Sequence, residues 1–500
     1  MKATQILFFF LSLFLILFGI WYFWPAGGFK IGGLPLRFPS YESYLSDLRD
    51  PEAGVDVDSV LLAVQRGYAF PQASEDTLDY YRNYFSTNPN RIYLPDDDYA
   101  FFDTLFSEME EAARTGRVLR FLHYGDSQLE MDRISSVLRQ RLQERFGGSG
   151  PGMVPMIQRI PAYSVIQSFS GDLTRYAMVG DSLTNKASHK RYGPLTQFTA
   201  VRGAGSFSFR RTRSRYAQPL AREISRVSVL FGQNSPGFTL TLKCDTLDAR
   251  VEVLDSARAG VSLVSWKLLA PVERGTIHFN GDAEIYGILL DGPGGVTVDN
   301  VALRGSPGYI FSSIQSSVMR ESFEKIGTRL ILMQFGGNAV PGISSKKGIS
   351  SYVSRIVSQF DYFRKVAPKA KLLFVGPTDM CKSVDGDLVT WPLLPELNDS
   401  LKANCLKHGV AYWDTFGMMG GVGSMKQWVK HSPPLAGPDH VHFTTKGAEY
   451  VGDALSKSFL VCYDFYQARK NLSKEAVRNY LWAERDSLQD RIYAKTDSLR

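Results

Sequence analysis

At 500 residues, 44% of them hydrophobic and 13% aromatic, the chain can bury more than one core, which excludes a disordered segment, a collagen-like fibre and a small disulfide scaffold. Lys and Arg number 57 against 50 Asp and Glu, a formal charge of +7 with no basic block, so composition does not point to nucleic acid. The four cysteines, Cys244, Cys381, Cys405 and Cys462, stand far apart without a C-x-x-C pair and read as small buried hydrophobes, not as metal ligands or a redox couple.

The first element is ILFFFLSLFLILFGIWYFW, 19 uncharged residues from Ile6 to Trp24. As a helix rising ~1.5 Å per residue it would span about 28 Å, enough for one bilayer crossing. The run ends on Trp21, Tyr22 and Trp24, interfacial aromatics instead of a small-residue cleavage site. The expectation is an uncleaved N-terminal transmembrane helix within residues 1–27, with the body outside the cytoplasm. Residues 28–99 mix Pro, Asp and aromatics without sustained periodicity and read as a stem with short helices.

Within residues 100–154, VLRFLHY (Val118 to Tyr124) predicts a buried strand, and Ile134, Val137, Leu138, Leu142 and Phe146 share one face of a helix that Gly147 and Gly148 stop. From 155 to 298 the pattern changes to short alternating runs such as RVSVLFG, FTLTLKC and ARVEVLD, punctuated by Gly, Asp and Pro. That pattern predicts an antiparallel sandwich or jelly roll. The α/β beat resumes over 299–464 with VDNVAL, RLILMQF, KLLFV and VAYWD, each followed by an amphipathic helix. Five strands alternating with helices predict a parallel sheet covered on both faces, interrupted by an all-β domain. The stretch 465–500 is charge-rich and reads as a solvated helical tail.

Four short stretches carry chemistry. Gly125-Asp126-Ser127-Gln128 follows the first strand, so Ser127 falls at the carboxyl edge of the sheet, where open α/β folds bind ligands. Asp439-His440-Val441-His442 lies near the other end; in a tight turn Asp439 can hold Nδ1–H of His442 and leave Nε2 facing a nucleophile, while Asp439 and His440 point apart. Thr444 and Thr445 follow as helix N-cap candidates. Gly305 in LRGSPG and Asn338 in FGGN follow the second and third strands of the α/β domain. With the Ser127 amide, the Gly305 amide and the Asn338 side chain supply the donors that a tetrahedral oxyanion needs.

In this order the four stretches resemble the blocks of the SGNH hydrolases, the GDSL-type esterases. LHYGDSQLEMDR, FGGSGPGMVP, VGPTDM and DHVHFTTKG are similar to the peptidoglycan O-acetylesterase branch, which carries a β-rich, carbohydrate-module-like insertion between its first two blocks. The resemblance covers roughly residues 117–150 and 297–460. It implies a flavodoxin-like SGNH sandwich with a five-stranded parallel sheet and a jelly-roll-like insertion. It also implies a serine esterase with catalytic Ser127, His442 and Asp439, an oxyanion hole of Ser127, Gly305 and Asn338, no metal and no other cofactor. The implied substrate is acetylated envelope polysaccharide, peptidoglycan first, at the periplasmic face of the inner membrane. Alternatives are an O-acyltransferase served by a membrane-bound acyl-transfer partner and a noncatalytic anchored glycan-binding protein. A literal Gly180-Asp181-Ser182-Leu183 is rejected as the nucleophile because no amphipathic helix follows it and it lies in the β-rich region. The family's second block often places a small residue after its glycine-containing turn, and Arg304, before Gly305, is expected to change the charge near the oxyanion. Trp266, Tyr286 and Tyr309 are candidates for stacking on sugar, and Met425 and Trp428 for walling the acyl pocket, with core packing the rival role for each.

Overall fold

The computed structural model describes residues 3–23, 29–31, 34–36, 56–66, 76–245, 247–254, 256–470, 472–473 and 475–477. Five parallel strands lie side by side in the order Gly295–Ala302, Val118–Gly125, Thr328–Gln334, Lys371–Val375, Ala411–Trp413. Taken along the chain this is the doubly wound order 2-1-3-4-5. The winding direction reverses between Val118–Gly125 and Thr328–Gln334, and ligands bind at the carboxyl ends of such strands.

The strands read as near-continuous apolar runs because helices cover both faces. Leu119 and Phe121 point to one side, with Leu138, Val451, Leu455 and Phe459 of the helices Ser135–Phe146 and Thr445–Arg469. Leu122 and Tyr124 point to the other, with Val318, Val353, Ile356 and Leu397 of three further helices, Ser316–Ile326, Lys346–Val366 and Leu394–Lys407.

The segment 28–99 contributes more to this domain than a stem would. Ile92–Tyr93 pairs antiparallel with Ala411–Trp413 as a sixth strand, and Asn90 accepts from the Trp413 indole while donating to the Ala454 carbonyl. In the helix Asp76–Thr87, Tyr81 packs on Phe465, ring centroids 4.9 Å apart. Phe465 and Tyr466 are buried and Arg469 pairs with Asp103, so the last helix stays in the fold to Arg469 instead of becoming a solvated tail at 465. Residues 478–500, the rest of that expected tail, lie outside the described residues.

The β-rich insertion comprises nine antiparallel strands. It begins at Gly152–Val154, which pairs with Ala283–Asp291, and ends before Gly295, a few residues from the expected 155 and 298. The Phe231 and Phe238 rings meet at 5.5 Å although three strands separate theirs in hydrogen-bonding order. The sheet therefore folds back on itself around Phe207, Val229, Leu240 and Ile277. At the seam, buried Arg120 bonds Asp291 and Asp299 at 2.6 Å each, and Asp299 also accepts from the Met153 amide at 2.7 Å.

Ala3–Tyr22 forms a helix with Phe8, Phe14 and Leu15 exposed. Among the described residues no helix is long and apolar enough to cross a membrane, and the expected transmembrane helix therefore has no support here. Cys381, Cys405 and Cys462 are buried and Cys244 is half-buried, all as free thiols.

Candidate active site

The first strand ends at Gly125, where a Cβ would approach Leu129 Cδ1 to 2.6 Å and the Gln334 carbonyl to 3.1 Å. The chain then turns sharply. The Asp126 carboxylate accepts from the Gln128 amide at 3.0 Å and caps the short turn Ser127–Asp132, which leaves Ser127 at the sheet edge. From the opposite end of the sequence, Asp439 to His442 form a tight turn with His440 in the left-handed region, φ +55°. Thr444 caps the helix that follows by accepting from Gly447. Any side chain at Gly447 would meet the Leu435 carbonyl, 1.8 Å from an ideal Cβ, so only glycine lets the helix start this close to the turn.

These two turns meet. Ser127 Oγ lies 2.8 Å from Nε2 of His442, and Nδ1 of the same ring lies 2.8 Å from Oδ2 of Asp439. The other Asp439 oxygen accepts the amides of Val441 and His442 at 3.0 Å each. Burial alone would raise the Asp439 carboxyl, but these hydrogen bonds hold it below the ordinary carboxylate value, so it stays ionised beside the imidazole. The network assigns the proton to Nδ1 and makes Nε2 the acceptor of the Ser127 hydroxyl. His440 faces away, with Nδ1 at 3.0 Å from the Pro438 carbonyl.

Ser127, Gly305, Asn338, Asp439 and His442 line one cavity of about 730 Å³. Gly305 has φ +74° with open space where a Cβ would stand. Among the described residues neither the Ser127 nor the Gly305 N–H has a protein acceptor, leaving both free for a bound oxygen. The Asn338 amide donates one N–H to Asp126 Oδ2 at 3.0 Å. All five predicted residues are thus brought to one rim.

For the residues read as either ligand contacts or core, packing decides. Trp266 and Tyr286 are buried in the insertion and offer no face to a sugar, and Arg355 lies over the Tyr309 ring at 5.0 Å. Met425 and Trp428 are buried in the core; Met380 lines the cavity instead. Arg304 does line it, held in a bidentate pair with Glu130 at 2.5 Å per bond, which offsets its charge. Ser182 sits in an exposed turn of the insertion and, among the described residues, bonds no histidine.

Three residues of the site escape sequence reasoning. Asp126, buried, is pushed up to about 6 by desolvation, offset in part by the Gln128 amide, the His442 charge and Asn338. Gln128 reaches across to the histidine turn, donating to the Val441 carbonyl at 2.7 Å and accepting from the Phe443 amide at 3.2 Å, one contact on each side of His442. Arg133 donates to the Phe443 carbonyl at 2.7 Å. The local signal for Asp126 was its place before the serine; Gln128 and Arg133 pair over 310 residues or more, and nothing near them marks it.

No family model and no curated protein matches the chain. Among solved structures it is similar to a peptidoglycan O-acetylesterase, at 20% identity and a TM-score of 0.58, over 73% of this chain and 98% of that one. It also aligns with a family two carbohydrate esterase from Cellvibrio japonicus, at 9% identity and a TM-score of 0.24, over 60% of this chain and 99% of that one. A GDSL-like lipase from Parabacteroides merdae aligns at 13% identity and a TM-score of 0.26, over 33% and 74%. The last two scores are too low to carry an argument. The first shows a shared fold: the chain has the architecture of a peptidoglycan O-acetylesterase, in agreement with the resemblance to the SGNH hydrolases carried by Gly125-Asp126-Ser127-Gln128 and Asp439 to His442.

Proposed function

We propose that the chain is a serine esterase that removes O-acetyl groups from envelope polysaccharide, peptidoglycan first. The observation that carries this reading is the unbroken relay from Ser127 Oγ through the His442 ring to Asp439, 2.8 Å at each step, opening into a cavity with free amides at Ser127 and Gly305. Ser127 Oγ attacks the ester carbonyl while His442 Nε2 takes its proton, and Asp439 holds the resulting imidazolium. The negative oxygen is met by the amides of Ser127 and Gly305 and the second N–H of Asn338. The bond to the sugar oxygen breaks as His442 returns the proton to it, leaving acetyl-Ser127. Water, deprotonated by the same nitrogen, then releases acetate and restores the serine. The fold shared with a peptidoglycan O-acetylesterase supports the choice of substrate.

For location, the 19 uncharged residues from Ile6 to Trp24 support a body held at the outer face of a membrane, and fractionation of cells expressing the chain tests it. A sugar hydroxyl in place of water would make the same site a transferase; dominant transfer to an added oligosaccharide would replace the esterase reading. The test of function is acetate release from acetylated peptidoglycan and from p-nitrophenyl acetate. Ser127→Ala abolishes it and Ser182→Ala leaves it intact; the reverse result overturns the site assignment.

A further inference from the structure

A second cleft, of about 450 Å³, runs between the α/β domain and the insertion. It shares Glu130, Met131 and Arg304 with the catalytic cavity, so the two lie side by side with the Arg304 pair between them. The far wall belongs to the insertion and includes Gly180 and Asp181 of the rejected G-D-S-L stretch together with Arg175, and Arg159 lies beside them.

In the second cleft the charges do not cancel: Arg159, Arg175 and Arg304 stand against Glu130 and Asp181. Arg304 is matched by Glu130 at 2.5 Å, and Arg159 by Asp181 at 3.2 Å. Arg175 is left over. It is half-buried, its Nε donates to the neutral Gln197 Oε1 at 2.5 Å, and among the described residues it has no carboxylate partner. Desolvation and the neighbouring Arg159 charge both push its guanidinium down, with Asp181 opposing only in part. A further cation stands close, since the Lys186 ammonium is lowered by burial and then by Arg175. A half-buried guanidinium whose nearby carboxylate is already bonded to another arginine, in the wall of a cleft, is costly to maintain and is relieved by an anion entering with a ligand.

We propose that Arg175, assisted by Arg159, is an anion subsite that takes a carboxylate carried by the polymer at a distance from the acetyl ester. The subsite rests on the esterase reading for its biological sense, but its test needs no turnover. The shared chemistry is a carboxylate, borne by a sugar acid or by an attached peptide. Calorimetric titration of the full chain compares tetragalacturonate with its neutral galactose counterpart, and a muropeptide with its fully amidated form.

In at least one arm the acid binds about tenfold tighter than its neutral counterpart, the worth of one charge-assisted hydrogen bond pair; that arm names the source of the carboxylate. Arg175→Gln and, separately, Arg159→Gln each erase most of that preference while the thermal midpoint stays near that of the parent. Equal behaviour of acid and neutral ligands in both arms, or a preference that survives both substitutions, overturns the proposal. Failure of Ser127→Ala to abolish acetate release would overturn the esterase reading and leave this binding result standing.

Discussion

Asp126 Oδ2 accepts a 3.0 Å hydrogen bond from the side-chain amide of Asn338, so the residue before the nucleophile sets the direction of a proposed oxyanion donor. The other Asp126 oxygen holds the Gln128 amide, and a single carboxylate thereby ties the serine turn to the loop after the third parallel strand. Asp126→Asn presents an amide N–H₂ either to Asn338 or to the Gln128 amide, and one of these bonds is lost. Turnover of p-nitrophenyl acetate should fall about tenfold to a hundredfold, less than for outright removal of an oxyanion donor, with KM little changed. Unchanged turnover would show that Asn338 needs no such guide.

The same carboxyl predicts a pH signature in stability. Its folded value, about 6, lies above the ordinary 3.8 because burial penalises the charge. The sign follows: its favourable contribution is fully present below 3.8 and is lost as pH rises through about 6. Asp126→Asn does not titrate. Its thermal midpoint relative to the parent should therefore climb between pH 4 and pH 6 and level off above; a flat difference across this range would contradict the assignment.

Gln128 bonds the histidine turn on both sides of His442, at the Val441 carbonyl and the Phe443 amide. Removing it leaves the buried Phe443 amide unpartnered, at about 1–3 kcal/mol, releases the half-buried Val441 carbonyl, and frees the turn that presents the imidazole. Gln128→Ala should lower kcat more than kcat of Gln128→Glu, which keeps the acceptor for Phe443. Both variants should retain the parent KM for p-nitrophenyl acetate. Equal kcat in parent and Gln128→Ala would reduce the residue to a packing role.

At the seam between the domains Arg120 bonds one oxygen of each of two buried carboxylates at 2.6 Å. Arg120→Ala strands Asp291 and leaves Asp299 only the Met153 amide, and breaking a buried pair from one side costs about 3–5 kcal/mol. Denaturant titration should show that loss in the whole chain. A loss under about 1 kcal/mol would mean that the carboxylates find other partners.

The largely apolar run Val118 to Tyr124, ending at a glycine turn, made the first strand readable, and the doubly wound sheet followed from strands of the same kind. Ser127, Gly305, Asn338 and the Asp439 to His442 turn were readable because each directly follows a sheet strand or precedes a helix. Two residues, Ile92 and Tyr93, are too few to show a period, so the sixth strand was hidden until Ala411–Trp413 paired with it. Phe465 and Tyr466 sit in a charge-rich stretch whose apolar partners, Tyr81 and Phe106, lie more than 300 residues away. Gln128 was invisible for the same reason: a glutamine in a turn looks solvated until the segment it clasps folds against it.

The central claim is that His442 and Asp439 activate the hydroxyl of Ser127 for attack. Treating the full chain with a fluorophosphonate and mapping the modified residue by mass spectrometry tests it most directly. The label should appear on Ser127, and be absent after His442→Ala; a label on Ser182 or another residue, or none on a folded chain, would contradict it.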